Sequence, residues 1–517
     1  MPKIKVHEKA LAHLSRGLYR SPASALRELV SNAWDANATV VRITTNYPKF
    51  FQIAVEDNGA GFTLDEFEKI MGGGIGNSQK RPQTTSTIHG RPVIGRLGIG
   101  LLGIAQVCLG FRIISRPKNT EGFSARIKLY DLLKDRLDRD DPEVVRETDD
   151  DTKVKVVEVG TYDVEKNFDL SSVRPGTTIL ADDVHPTFVR AFQESVTGPT
   201  FIPLPKEWGR VLKIASRVRS LQELGDYWRL IWELAASCPV PYLSSTAVPR
   251  KLVEEDQAKL EAYDFKVIVD GLELRKPVYL HGNSGGYTTF QIPPQNSKVY
   301  GNDLSFHGYI VVQEGLQLKP DELRGILIRI KNVAIGYYDP SLLDYRINEG
   351  PRSRWLTGEI FVDKGLENAL NIDRDSFNRF HPEFRAVQAY VHGILNEKVF
   401  PEVYRNIEKR SDSRREEWHK TRARVLKEIV SEETGLQVRL RRQPASEAGE
   451  VPSVGIEVGA EEIELAMPSA ESLETKRSNR DLAGSILAIH EVAMREKTSE
   501  KRRTVFTRLL MRLLSRW

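Results

Sequence analysis

Glu28, Asn32 and Asp35 stand at i, i+4 and i+7 in the run ELVSNAWDA, a spacing that puts all three on one face of a helix. A carboxylate there can polarise a water for attack, and an amide oxygen can complete the shell of Mg2+, a hard ion that takes oxygen ligands. The same three residues also suit a plain solvated polar face. In VEDNGAGF, Asp57 ends a strand-like run, and Gly59 and Gly61 let backbone come close to a flat ligand. A buried carboxylate at Asp57 could accept from an exocyclic amine, although DNG read alone is a hairpin signal. In GRLGIGLLG, Gly95, Gly98, Gly100 and Gly103 lead into the apolar run IAQVCLG, and glycines at a helix start let bare N–H groups and the helix dipole meet phosphate. In RPGTTILAD the hydroxyl of Thr177 or Thr178 could complete a hydrogen-bond network at a base edge.

Other nucleotide motifs do not fit. The glycine spacing is G-x-x-G-x-G rather than G-x-G-x-x-G, no strand-then-acid pattern follows at the distance a dinucleotide fold needs, and the chain has no Walker lysine motif.

The elements that must position these residues can be read locally. Pro22 suits a first turn and Leu26, Leu29, Val30 and Ala33 recur at helical spacing, which predicts a helix over 22–38. Strands are expected at 40–46 and 52–57, then at 110–116, 123–129 and 176–181, with an acidic loop or hairpin tip around 138–151. The Pro-rich stretch 199–206 reads as the exit from a first domain.

The four elements, in this order and at these separations, resemble the GHKL superfamily: gyrase, the ninety-kilodalton heat-shock chaperone, sensor histidine kinases and the mismatch-repair MutL proteins. The resemblance covers roughly residues 8–185. It implies a Bergerat ATP-binding fold, a two-layer α/β sandwich, with ATP and Mg2+ as cofactors and ATP hydrolysis as the activity. On this basis Glu28 matches the general base, Asn32 the Mg2+ ligand, Asp57 the adenine-reading aspartate and Thr177 its hydrogen-bonding helper. Asp35 belongs to the same nucleotide-binding set, Gly59 and Gly61 match the second glycine motif, and Gly95, Gly98 and Gly100 match the phosphate turn that closes a lid spanning about 71–98. Lys80 and Arg81 on that lid are candidates for phosphate contact, with plain solvation as the alternative.

A further α+β domain is expected over 207–405, with ILIRIKNVAIG (326–336) as its clearest strand. Its segment ENALNIDRDSFN follows the strand-like GEIFV and resembles the middle domain of the heat-shock chaperone and of MORC-type ATPases, with an S5-like fold implied. There a second-domain cation reaches the terminal phosphate. Arg374 matches that position, Lys331 is the other candidate, and a surface pairing of Arg374 with Asp373 or Asp375 is the alternative.

The domains expected are therefore 1–200 for ATP binding, 207–405 as transducer, a charged helix at 406–440, a flexible linker at 441–480, and a basic amphipathic helix at 481–517. The overall class is α+β with a helical C-terminal region. In the tail, Val505, Phe506, Leu509, Leu510, Leu513, Leu514 and Trp517 form one stripe, with Arg508, Arg512 and Arg516 off it. That stripe favours a dimerising helix over nucleic-acid or membrane-surface contact.

Among superfamily members, a histidine kinase would place its phosphoacceptor helix before the ATP motif. A mismatch-repair protein would carry a GFRGEAL-like turn where this chain has GRLGIGLLG, and a type II topoisomerase would be longer. The sequence is read instead as a MORC-like or heat-shock-chaperone-like ATPase that dimerises on ATP and remodels a nucleic-acid or protein partner. An ATP-sensing scaffold with incidental turnover is the competing reading.

Bulk properties are consistent with this. Of 517 residues 40% are hydrophobic and 28% charged, an ordinary globular balance that calls for more than one core. A net charge of +4 confines any nucleic-acid contact to a local patch. Cys108 and Cys238 alone cannot build a disulfide framework or a zinc site. So few cysteines suit a reducing cytoplasm, which is the compartment expected, and no uninterrupted apolar run is long enough to span a membrane.

Overall fold

The computed structural model describes residues 2–7, 21–74, 90–94, 104, 107–129, 146–148, 155–165, 168–169, 173–197, 207–243, 252–278, 286–314, 317–346, 350–371, 375–434, 437–443, 455–458, 462–468 and most of 486–516. They form two compact units, Met1–Val403 and Tyr404–Trp517.

The first unit is built on a ten-stranded sheet of β1 (Lys3–His7), β2 (Val40–Thr44), β3 (Ile53–Asp57), β4 (Cys108–Arg116), β5 (Phe123–Leu129), β6 (Arg146–Thr148), β7 (Lys155–Val164), β8 (Gly176–Val184), β9 (Lys266–Val269) and β10 (Leu272–Glu273). The order is β1-β7-β5-β4-β8-β3-β2-β9-β10, with β6 also pairing β7. Every pairing is antiparallel except β2 with β9. Helices Pro22–Asp35, Pro186–Thr197, Trp208–Ala215 and Asp226–Ser237 complete the layer: Leu26, Val30 and Trp34, Phe188 and Phe192, Val211, and Tyr227 and Ile231 share one buried cluster with Val41, Ile43, Val55 and Ile113 of the strands. This is the α+β sandwich expected.

The sheet does not stop near residue 200. β9 joins its edge in parallel with β2, and the following turn is fixed by Asp270, whose carboxylate accepts from Thr45 N at 2.8 Å, Thr45 Oγ1 at 2.7 Å and Tyr227 Oη at 2.7 Å. Material from the expected second domain thus completes the first core.

A five-stranded sheet follows, β11 (Tyr287–Val299), β12 (Asn302–Gln313), β13 (Gly325–Ile330), β14 (Val333–Asp339) and β15 (Leu356–Lys364), in the order β11-β12-β15-β13-β14. Its own core includes Phe384, Val387 and Val391 of helix Pro382–Ile394, while Leu327, Val333, Ala334 and Tyr338 enter the core of the first sheet. The run 326–336, expected as one strand, is a hairpin. Lys331 (φ 52°) and Asn332 (φ 66°) both take the left-handed region, as the two central residues of a tight hairpin turn must.

In the second unit, helix Phe400–Thr434 contributes Ile429 and Val430 to a small core with Ile489, Val492, Leu509 and Leu513. The tail helix, Ser499–Arg516, therefore spends its apolar stripe inside the chain, which removes the reason for reading it as a dimerising surface. The segment 441–480, expected as a linker, carries β17 (Gly455–Val458) and β18 (Glu462–Pro468); β18 pairs with β17 on one side and with β16 (Gln437–Gln443) on the other. Ile456 and Val458, and Ile463 and Leu465, alternate with glutamates, a period-two pattern that averaged composition hides. Among the described residues no helix is long and apolar enough to cross a membrane.

Candidate functional site

The helix carrying Glu28 begins at Ser21, whose side chain accepts from Ser24 N at 3.4 Å and donates to Glu233 Oε2 at 2.9 Å, so its N-terminus is docked as well as capped. It ends at Asp35 rather than at residue 38. Asn37 adopts φ 62°, and Asn37 N and Ala38 N donate to Trp34 O and Ala33 O, which closes the helix in a Schellman-type turn. Glu28 is buried at 7% exposure, whereas Asn32 and Asp35 are half-buried. The face is therefore not a solvated stripe: its carboxylate nearest the centre lies in the protein interior.

Asp57 is the last residue of β3 and opposes Thr177 on β8 and Val41 on β2. Gly176, at φ +132°, sets this register. A Cβ at that position would sit 2.0 Å from Asp57 O, so only glycine lets β8 approach β3 so closely. Gly59 N donates to Asp57 Oδ1 at 2.7 Å and the Thr177 main-chain N–H donates as well. Burial still outweighs these donors and pushes the Asp57 carboxyl up to about 6. The DNGAG turn lies against the C-terminal end of the Glu28 helix: Ala60 N donates to Ala36 O at 2.7 Å, and Gly61 takes φ +66°. The helix end and the adenine-type carboxylate expected from sequence are thus brought to one place.

The same helix end holds the segment that leads into the glycine run. Asp35 Oδ1 accepts from Ile94 N at 2.8 Å, Trp34 Nε1 donates to Pro92 O at 2.9 Å, and Lys331 Nζ donates to Val93 O at 3.1 Å. Arg91 is fully buried, donates to Ala38 O at 2.8 Å, and lies over the rings of Trp34 and Phe265 at 4.6 and 5.5 Å. Each of four consecutive residues, 91 to 94, is tied separately. Asp35 therefore serves the backbone here, and Lys331 is engaged by Val93 and by Glu367 at 3.1 Å.

Gly95, Gly98, Gly100, Lys80, Arg81 and Arg374 lie outside the described residues. Sequence reasoning missed Arg91, Trp34 and Arg27. Their signal was a bulky or cationic residue within an otherwise apolar context, and only the partners in space give it meaning.

For Mg2+, the donor set is suitable. Asn32 offers an amide oxygen on the half-buried side of the helix, and among the described residues no group of three or more His, Cys, Asp or Glu is placed to hold a metal ion. Mg2+ characteristically combines one or two protein oxygens with phosphate and water.

Comparison with known proteins agrees with the N-terminal reading. Residues 19–150 match the family model described as histidine kinase-, DNA gyrase B- and HSP90-like ATPase. The chain is 42% identical over 134 residues to a Herpetosiphon aurantiacus protein named as the type II restriction enzyme HgiDII, a stretch covering 23% of this chain and 21% of that one. It is 31% identical over 86 residues to the DNA mismatch repair protein MutL of Lactobacillus delbrueckii subsp. bulgaricus, covering 17% and 13%. The chain thus aligns with about a fifth or less of the length of these relatives. A crystal structure of the N-terminal domain of a DNA repair protein overlays 75% of this chain and 97% of its own at 12% identity, with a TM-score of 0.38. The MutL match is confined to 13% of that protein and leaves the reading drawn from the GRLGIGLLG turn untested.

Proposed function

We propose that this chain, which carries a GHKL-type ATPase domain, binds ATP with Mg2+ and hydrolyses it through Glu28. The observation that carries the reading is the strand register that pairs Asp57 with Thr177 beside the end of the helix bearing Glu28 and Asn32. Asp57 accepts from the exocyclic amine of adenine, with Thr177 at the neighbouring base edge. Asn32 supplies the protein oxygen to Mg2+, which when bound neutralises phosphate charge. Glu28, buried and therefore shielded from bulk water, orients and deprotonates the attacking water. The bare N–H groups of the glycine run at 95–100 meet phosphate, and the post at 91–94 that leads into it is held in place. Arg374 is the second-domain cation for the terminal phosphate, with Lys331, which is placed on Val93 and Glu367, as the alternative.

Lid closure then brings two protomers together, and the cycle remodels a DNA-associated partner. The DNA choice is supported by the names of the two relatives, one of restriction and one of mismatch repair. Glu28→Ala is expected to retain ATP, measured with a fluorescent analogue, while steady-state turnover falls by about 10²–10⁴-fold. Turnover like that of the wild type would refute the assignment. Stimulation of wild-type turnover by duplex DNA tests the client.

A further inference from the structure

The tail helix, Ser499–Arg516, carries Lys501, Arg502, Arg503, Arg508, Arg512 and Arg516 against the single acid Glu500, a net charge of +5. The whole chain carries +4. The positive excess of the molecule is therefore concentrated on one helix of 18 residues, and the remainder of the chain is slightly acidic.

The core of its unit fixes which way these charges face. Leu509 and Leu513 are fully buried with Ile429, Val430, Ile489 and Val492, and Val505 and Phe506 pack on the same cluster. At the start of the helix Thr498 Oγ1 accepts from Lys501 N at 3.4 Å. Lys501, Arg503, Arg508 and Arg512 are exposed on the opposite side. Lys501, Arg508 and Arg512 stand at i, i+7 and i+11, within about 40° of one line along the helix, and form a row about 16 Å long. Arg502 does not join them, because its Nε donates to Glu496 O at 2.5 Å. Arg512 Nη1 meets Glu432 Oε2 at 2.8 Å, but with the two side chains 45% and 48% exposed this is a surface pair that contributes little. The neighbouring helix, Phe400–Thr434, exposes Arg424 and Lys427 together with Glu428 and Glu432, a balanced set.

The kind of partner follows from what this face lacks. A membrane surface or a second copy of the helix would each need the apolar stripe, which lies in the core. A protein partner would need an apolar centre, and Met511 is the one exposed large apolar side chain described on the helix. Single-stranded nucleic acid is held by stacking its bases on aromatic rings, and the one aromatic residue of the helix, Phe506, packs on the core. Duplex DNA asks for neither, since it presents a phosphate for every ~3.4 Å of axis on each strand and is held through them by spaced cations.

We propose that the outer face of helix Ser499–Arg516 is a duplex-DNA contact that grips the phosphate backbone without regard to sequence, through Lys501, Arg503 and Arg508 with Arg512 beside them. The inference extends the DNA-associated partner of the proposed cycle. Its readout is binding without nucleotide, so failure of Glu28 as the base leaves it intact, and its own failure leaves the ATPase reading intact.

The test uses the full chain, a short fluorescent duplex of random sequence and anisotropy. Wild type is expected to bind with a Kd of about 1–100 µM at physiological salt, and four phosphate contacts should weaken binding about 10²-fold between about 50 and 200 mM salt. Lys501→Gln, Arg503→Gln and Arg508→Gln together should lower affinity by about tenfold or more at the lower salt. They should also take about two to three units off the slope of log affinity against log salt. The charge-keeping set Lys501→Arg, Arg503→Lys and Arg508→Lys should bind within about threefold of wild type, which a loss of fold would not allow. Should the glutamine triple variant lose helical circular dichroism, the three single variants are read instead, each expected to take about one unit off the slope. Slopes and affinities equal to wild type overturn the proposal, as does failure of wild type to bind duplex. Tighter binding of single-stranded DNA than of duplex, or sedimentation with phosphatidylserine vesicles in place of duplex binding, overturns it as well.

Discussion

Replacing Asp57 by Asn is expected to stabilise the fold and abolish ATP binding together. The Asp57 carboxyl is raised from 3.8 to about 6, chiefly by burial, against N–H donation from Gly59 and Thr177. A folded pKa above the unfolded one means that the native state holds its proton more tightly. Stability from this group is fully present below about 3.8 and is lost as pH rises through about 6. At 1.36 kcal/mol per pKa unit the full swing is about 3 kcal/mol, and about 1–2 kcal/mol after allowing for solvent at a half-buried side chain. Asn keeps an oxygen for the Gly59 N–H but carries no charge to desolvate. Urea unfolding of both proteins at pH 4.5 and pH 8 isolates the effect, because every other titrating group cancels between them. The variant should gain about 1–2 kcal/mol over wild type at pH 8 and little at pH 4.5, while a fluorescent ATP analogue no longer binds at either pH. A stability difference that does not grow with pH, or a variant weaker than wild type at pH 8, would show that the carboxylate is not paying a burial penalty for its acceptor role.

Two further outcomes follow from the same kind of geometry. His307 lies between Asp256 Oδ2 at 3.0 Å and Asp363 Oδ2 at 3.1 Å; burial opposes its charge, but the two carboxylates prevail and raise it to about 9. Its contribution, about 1–2 kcal/mol once solvent screening is allowed for, should be complete below about pH 6.5 and lost as pH rises through about 9; unfolding of wild type against His307→Gln at pH 6 and pH 10 checks this, and parallel pH dependences would count against it. Asp35→Ala removes the acceptor of Ile94 N–H, so hydrogen exchange at the Ile94 amide should quicken by about tenfold or more with weaker ATP binding; unchanged protection would mean that Trp34, Arg91 and Lys331 hold the post without it.

What the sequence disclosed and what it withheld divide by contact range. The Glu28–Asn32–Asp35 face was legible because helical period is a local property, and the helix bearing it runs over Pro22–Asp35. Asp57 was legible as a strand end, yet its pairing with Thr177 joins residues far apart in the chain and was reached only through resemblance. The hairpin at 331–332 was misjudged because its left-handed turn uses Lys-Asn with no glycine, leaving the apolar run visually unbroken. The strands within 455–468 were lost because each is too short to register against a Glu- and Ser-rich average.

The contacts that tie the first helix and the 91–94 post to the second sheet are the least legible of all. Arg27–Asp375, Lys331–Val93 and Ser21–Tyr337 each bridge residues more than two hundred positions apart, and no periodicity links such partners. Each also involves a residue that looks ordinary in its own segment: an arginine beside a glutamate, a turn lysine, a helix-cap serine. A motif can name the groups that meet the nucleotide, because their chemistry fixes their spacing. Contacts of this second kind are fixed by the fold, and so they become visible only when β13 and β14 are seen packed against the helix that carries Glu28.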